Sequence, residues 1–145
     1  MKNLRLIVLF SVFAILGCEE DEPDLNPDGF TEFVTNIDGD WKIDQVLQNG
    51  TDVTALLDFQ SFSLQLNYEN GQPSSYVLSD LTTPFVLSEA NGTWSFDDPT
   101  YPTMIHFSDG TSLAIEGPVL SGGTELTVAV PLGCQANTYV YRLSK

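Results

Sequence analysis

The chain has 145 residues, and its 20 acidic residues against five lysines and arginines give a formal net charge of −15. A surface of that sign repels phosphate backbones and excludes nucleic acid as a partner. Two cysteines are too few for a disulfide scaffold, so stability has to come from one modest hydrophobic core, for which a 42 % apolar composition is sufficient.

In chain order, Met1–Arg5 carries Lys2 and Arg5, and Leu6–Gly17 follows without a charge. A basic start, a short apolar run and a small residue at its end read as a secretory signal peptide over residues 1–17. A spanning helix needs about 20 apolar residues, and this run is shorter. The residues Ile15-Leu16-Gly17-Cys18 resemble the lipobox of bacterial lipoproteins. That resemblance implies cleavage before Cys18 and a diacylglycerol on its sulfur, which anchors the chain to a membrane. The alternative is an ordinary secretory signal with Cys18 as a plain thiol.

Glu19-Glu20-Asp21-Glu22 looks like the acidic export signal that sends some lipoproteins to the outer face of the outer membrane. As a plain spacer it would extend by self-repulsion. Residues 18–37 therefore read as a lipidated cysteine and an acidic tether, with Pro23 and Pro27 inside it. Without residues 1–17 the chain keeps only Lys42, Arg142 and Lys145 against its 20 carboxylates, a formal net charge of −17.

From residue 38 the pattern is β. Serine-rich SFSLQLNY, residues 61–68, puts Phe62, Leu64, Leu66 and Tyr68 on one face and polar residues on the other. Further strands are expected in WKIDQVL (41–47), SYVLS (75–79), PFVLS (84–88), TWSF (93–96), MIHF (104–107), SLAIEG (112–117), ELTVAV (125–130) and NTYVYRL (137–143). Asn49-Gly50, Asn70-Gly71, Asn91-Gly92, Asp109-Gly110 and Gly122-Gly123 supply turn chemistry between them. Val53–Asp58 reads as a short helix or capping turn. Eight or nine short strands in a meander predict an all-β fold over residues 38–145: an antiparallel up-and-down β-barrel of about eight strands, or a two-sheet sandwich.

Gly39-Asp40-Trp41 opens the first strand as G-x-W, and Arg142 lies on the last. These features, with Gly92-Thr93-Trp94, resemble the lipocalin-like domains of bacterial lipoproteins. The resemblance implies a barrel in which Gly39 turns the chain inward, Trp41 plugs the closed end and Arg142 packs across Trp41. The R-x-Y pair of fatty-acid-binding relatives is absent, because Leu143, Ser144 and Lys145 follow Arg142.

No catalytic constellation is legible. His106 is the single histidine and falls on the face opposite Ile105 and Phe107. There is no G-x-S-x-G elbow, and Cys134 has no base beside it in sequence. Metal sites are not expected: Asp38, Asp40 and Asp44 miss the calcium-loop spacing, and Asp97-Asp98 reads as a turn. No cofactor is expected. The aromatics Phe62, Tyr68, Trp94, Phe96 and Phe107, with Leu64, read either as packed core or as the wall of a ligand cavity. Two functions follow: a non-enzymatic binder of a small apolar ligand, or a filled barrel that docks a protein partner at the cell surface.

Overall fold

Alternation of apolar and polar residues is what builds the wall. In the computed structural model, which describes residues 33–79, 81, 85–133 and 137–145, nine strands form: β1 (Gly39–Gln48), β2 (Thr51–Asp52), β3 (Leu64–Glu69), β4 (Gln72–Leu78), β5 (Asn91–Phe96), β6 (Met104–Phe107), β7 (Ser112–Ile115), β8 (Glu125–Leu132) and β9 (Asn137–Ser144). Every pairing is antiparallel, in the order β2-β1-β3-β4-β5-β6-β7-β8-β9. The ring closes where β9 returns to β1, from Lys42↔Ser144 to Gln48↔Tyr139. The fold is a closed eight-stranded barrel with β2 as a short extra strand on β1, and the sandwich alternative is excluded. Closure removes the open edges that an isolated sheet would expose.

Asn49-Gly50 and Asn70-Gly71 make tight turns as their sequences require, all four residues at positive φ. Val53–Asp58 contains one 3-10 turn, Thr54–Leu56. Two expectations fail. Residues 85–88 of PFVLS form no strand; they fold over one end of the barrel, and Leu87 is buried. Asn91-Gly92 does not make a hairpin turn but opens β5. Glycine is needed there for space. Gly92 faces Tyr76 across the β4–β5 pair, and a Cβ would stand 2.9 Å from the tyrosine ring and collide with Ser108 Oγ. Gly92→Ala is expected to destabilise the fold by about 1–3 kcal/mol, read as a lower urea midpoint with an unchanged slope.

The antiparallel registers define two ends. The base holds the start of β1, the Asn70-Gly71 turn, the β5–β6 and β7–β8 loops and Lys145. The rim holds the Asn49-Gly50 turn, residues Val53–Ser63, the β4–β5 connection and the Ser108–Thr111 turn. The last part of the expected tether packs against the domain. Thr35 and Ile37 are already buried in the domain. Thr35 N donates to Pro99 O (2.7 Å) and Thr35 Oγ1 to Thr100 O (2.9 Å). Asn36 N donates to Ser121 Oγ (2.9 Å), and Gly122 N to Asn36 O (2.8 Å). Tyr68 clasps the same segment from inside, its hydroxyl donating to Thr35 O (2.7 Å) and accepting from Ile37 N (3.1 Å). Burial pushes that phenol up to about 12, so it remains a donor throughout the physiological range.

Three aspartates staple the loops. Asp97 accepts from Thr103 Oγ1 (2.5 Å), Thr103 N and Met104 N (both 2.9 Å), which holds its carboxyl far below the usual range. Asp52 accepts from Thr54 Oγ1 (2.6 Å) and Gln45 Nε2 (2.7 Å) and drops from 3.8 to about 2. Burial would raise Asp109, but hydrogen bonds from Ser88 and Thr111 outweigh it, and its carboxyl also lies low. A carboxyl depressed in the folded state contributes stability that is complete above its unfolded value and vanishes as the folded value is passed. Tm is therefore expected to fall as pH drops from about 4 towards 2. Calorimetry on Asp52→Asn and Asp97→Asn checks this: each variant should flatten the fall.

Candidate functional site

A lipocalin-like barrel would hold a ligand inside, so the interior is the first place to look. Phe62, Leu64, Leu66, Tyr76, Trp94, Ile105, Phe107, Leu113, Val128 and Tyr141 all point inward and are buried. Of the six side chains expected as a ligand wall, four are buried (Phe62, Leu64, Trp94, Phe107), and Tyr68 and Phe96 are partly buried against the same cluster. Their rings meet one another. Tyr68 and Phe96 both stand edge-on to Trp94, at centroid distances of 5.3 and 5.2 Å, and Tyr76 stands edge-on to Phe107 at 5.1 Å. Such pairs add about 0.5–1.5 kcal/mol beyond burial.

Each end has its own plug. At the rim, Phe85 descends from the β4–β5 connection and packs on Phe62 (4.9 Å) and Tyr141 (5.0 Å). At the base, Trp41 is fully buried and donates Nε1–H to Ile37 O at 2.9 Å. Gly39 carries the turn into β1 at φ 140°, a conformation L side chains avoid.

The cation over Trp41 is Lys145, with Nζ 4.7 Å from the ring centroid and 2.5 Å from Asp38 O. Arg142 does not pack there, contrary to the expectation from the G-x-W resemblance. The reason is strand parity. Tyr141 and Leu143 point inward on β9, so Arg142 must point out, and Lys145 shares the inward parity. Applied to NTYVYRLSK, the period-two rule finds Lys145 without a structure.

On the outer wall Arg142 Nη1 donates to Gln45 Oε1 (2.8 Å), and Gln45 passes the contact to Asp52. Asp52 is also bound by Thr54, whose Oγ1 accepts from Val46 N (2.8 Å). This chain fastens β9, β1 and β2 together. A bulge in β1 between Ile43 and Gln45 bends the wall here, beside a depression of about 510 Å³ lined by Asp44, Gln45, Glu125, Thr127, Arg142 and Leu143. Its charges are mixed and it has no aromatic platform. A shallower one of about 190 Å³ surrounds His106, whose Nδ1 lies 2.8 Å from Ser112 Oγ. At the rim, Ile43, Thr54, Ala55 and residues 57–60 line a groove of about 320 Å³. Among the described residues no group of three His, Cys, Asp or Glu side chains is placed to hold a metal. Cys18, the expected signal peptide over residues 1–17 and Cys134 lie outside the described residues.

No curated protein and no solved structure matches the chain. A family match does cover residues 19–144, the barrel and nearly all of the segment after Cys18. The chain belongs to that family, described as a domain of unknown function (DUF5004).

Proposed function

We propose that the protein is an exported lipoprotein of the bacterial outer membrane, anchored through acyl chains on Cys18, and that it works without catalysis as a docking module. Its barrel is a rigid scaffold, and its outer surface meets a protein partner. The observation that carries this reading is the contact among the inward side chains of the described residues: their rings pack on one another, Phe85 covers one end and Trp41 the other. A ligand pocket in a protein typically offers about 300 Å³ or more, and here the side chains that could line one are spent on mutual contact. The sequence Ile15-Leu16-Gly17-Cys18 and the acidic tract after it support the anchor and the export. Stable attachment takes two or more acyl chains, which a lipoprotein cysteine provides.

The rival reading is a small apolar ligand held at the barrel mouth, which would require Phe85 to swing away from Phe62 and Tyr141. Native mass spectrometry on residues 19–145, prepared without detergent, separates the two. The expected mass is that of the polypeptide alone, and it stays so after incubation with fatty acids, sterols and isoprenoids. Extra mass that leaves on solvent extraction would overturn the docking reading in favour of the ligand.

A further inference from the structure

The depression on the outer wall is built across three neighbouring strands. Asp44 and Gln45 come from β1, Arg142 and Leu143 from β9, and Glu125 and Thr127 from β8. Register sets their order. Gln45 lies beside Arg142 and Arg142 beside Thr127, while Glu125 pairs with Ser144, two residues further along β9. Asp44 is the residue that the β1 bulge inserts between Ile43 and Gln45, so it has no partner on β9. Neighbouring strands stand about 4.8 Å apart, which puts β1 and β8 about 10 Å apart with the Arg142 strand between them. The space of about 510 Å³ is within the size range of small-molecule sites.

The charges that line it are not spent on one another. Among the described residues the ion pair is Lys42 with Asp40, at 3.5 Å, and neither lines the depression. Arg142 bonds instead to a neutral oxygen, Gln45 Oε1 at 2.8 Å. That amide is fixed from behind. Gln45 Nε2 donates to Asp52 (2.7 Å), and Asp52 accepts from Thr54 Oγ1 (2.6 Å) and Thr54 N (2.9 Å). The guanidinium is therefore positioned without being neutralised, and it keeps donors for an incoming anion. Asp44 and Glu125 have no ion-pair partner among the described residues. One positive and two negative groups thus face a shared space, and the ligand that matches them carries the inverse set.

We infer that this depression binds a small diamino acid, a molecule with one carboxylate and two ammonium groups such as free lysine or ornithine. The ligand carboxylate takes the remaining donors of Arg142, with the Thr127 hydroxyl beside it. The two ammonium groups, held apart by the methylene chain, face Asp44 on one side of β9 and Glu125 on the other. A monoamino acid would leave one of these carboxylates unmatched, and a plain diamine would leave the guanidinium unmatched. The ligand has a net charge of +1, so the field of this acidic chain also draws it in. The inference goes beyond the docking-module reading and does not depend on it.

The test titrates residues 19–145, ¹⁵N-labelled, with L-lysine and L-ornithine, and in parallel with norleucine, which lacks the second ammonium, and cadaverine, which lacks the carboxylate. Saturable shifts are expected at Asp44, Gln45, Glu125, Thr127 and Arg142 with the diamino acids, and the other two should need about tenfold more ligand, the cost of one lost charge-assisted bond. Arg142→Gln should raise the Kd for lysine by about tenfold or more. Because Arg142 also ties β9 to β1 through Gln45, a second variant carries the test: Asp44→Asn combined with Glu125→Gln breaks no ion pair among the described residues and should weaken lysine by a similar factor. Glu69→Gln, in the turn at the base, should change nothing. Cadaverine acting at the same concentration as lysine would mean diffuse attraction of cations by an acidic chain and would overturn the site. A Kd unchanged by the double substitution, or shifts that never saturate, would overturn it as well.

Discussion

Trp41→Ala is expected to cost about 3–5 kcal/mol, the range for truncating a fully buried aromatic. Domains of this size are stable by only about 5–15 kcal/mol, so the variant stands near the limit of folding. The loss has several parts. The indole is wholly buried, and its removal leaves a cavity at the base that neighbouring strands cannot collapse into without breaking register. Ile37 O loses its donor. Lys145 loses the ring face beneath its ammonium, a contact worth about 0.5–2 kcal/mol. The segment at Thr35–Ile37 is then held only by Tyr68 and the loop contacts. Trp94 remains as the fluorescent reporter, so urea unfolding can be followed in both proteins. Trp41→Phe separates the parts in some measure, because it keeps a six-membered aromatic ring and removes the N–H together with the smaller ring of the indole. Its cost is expected at about 1–3 kcal/mol, the penalty for a buried acceptor left unpaired. A Trp41→Ala cost below about 1 kcal/mol would mean that the base is closed by something other than this plug.

What the sequence makes legible here follows from the range of each interaction. Strand alternation is local, and it places Phe62, Leu64, Leu66 and Tyr68 on one face as the barrel has them. The β1 bulge is a finding of the structure: Trp41, Ile43 and Val46 all point inward although their spacing breaks the period of two by one residue. Arg142 is a different matter. The family resemblance assigns a cation to Trp41, and the sequence holds three cations after residue 17. Choosing the arginine by residue type overrides the parity that selects Lys145. PFVLS fails for another reason. An apolar run of that length fits a strand or a plug equally well, and only the tertiary need to cover Phe62 decides between them. Gly92 shows the same limit. Its requirement comes from Tyr76 and Ser108, distant in sequence, and Asn-Gly looks the same whether the glycine is there for φ or for space. The exposed leucines at the rim are the least legible part. Leu56 and Leu57 in VTALLD read as ordinary members of a short helix, and their exposure appears only once residues 53–63 are laid across the rim.

Cys18→Ser, expressed from the whole chain in a bacterial host, is expected to abolish acyl labelling and remove the protein from the outer-membrane fraction. The argument is chemical. The lipoprotein thioether forms on a thiolate sulfur, and a serine hydroxyl with its far higher pKa offers no equivalent nucleophile. Cleavage of this class of signal acts on the lipidated residue, so the variant keeps Met1–Gly17 or loses it to an ordinary signal peptidase. If the leader stays, Leu6–Gly17 is the only apolar segment available. As a helix it reaches about 18 Å at 1.5 Å per residue, short of a hydrocarbon core of about 30 Å. It gives weak retention in the inner membrane and none in the outer. If the leader is cut, 20 carboxylates against three cations leave nothing to bind a lipid surface, and the product is free in the periplasm. Membrane fractionation with incorporation of labelled palmitate distinguishes these products from the anchored protein. An outer-membrane signal that survives the substitution without label would mean that the barrel, and not the cysteine, holds the protein there. The anchor would then be protein contacts made by the barrel.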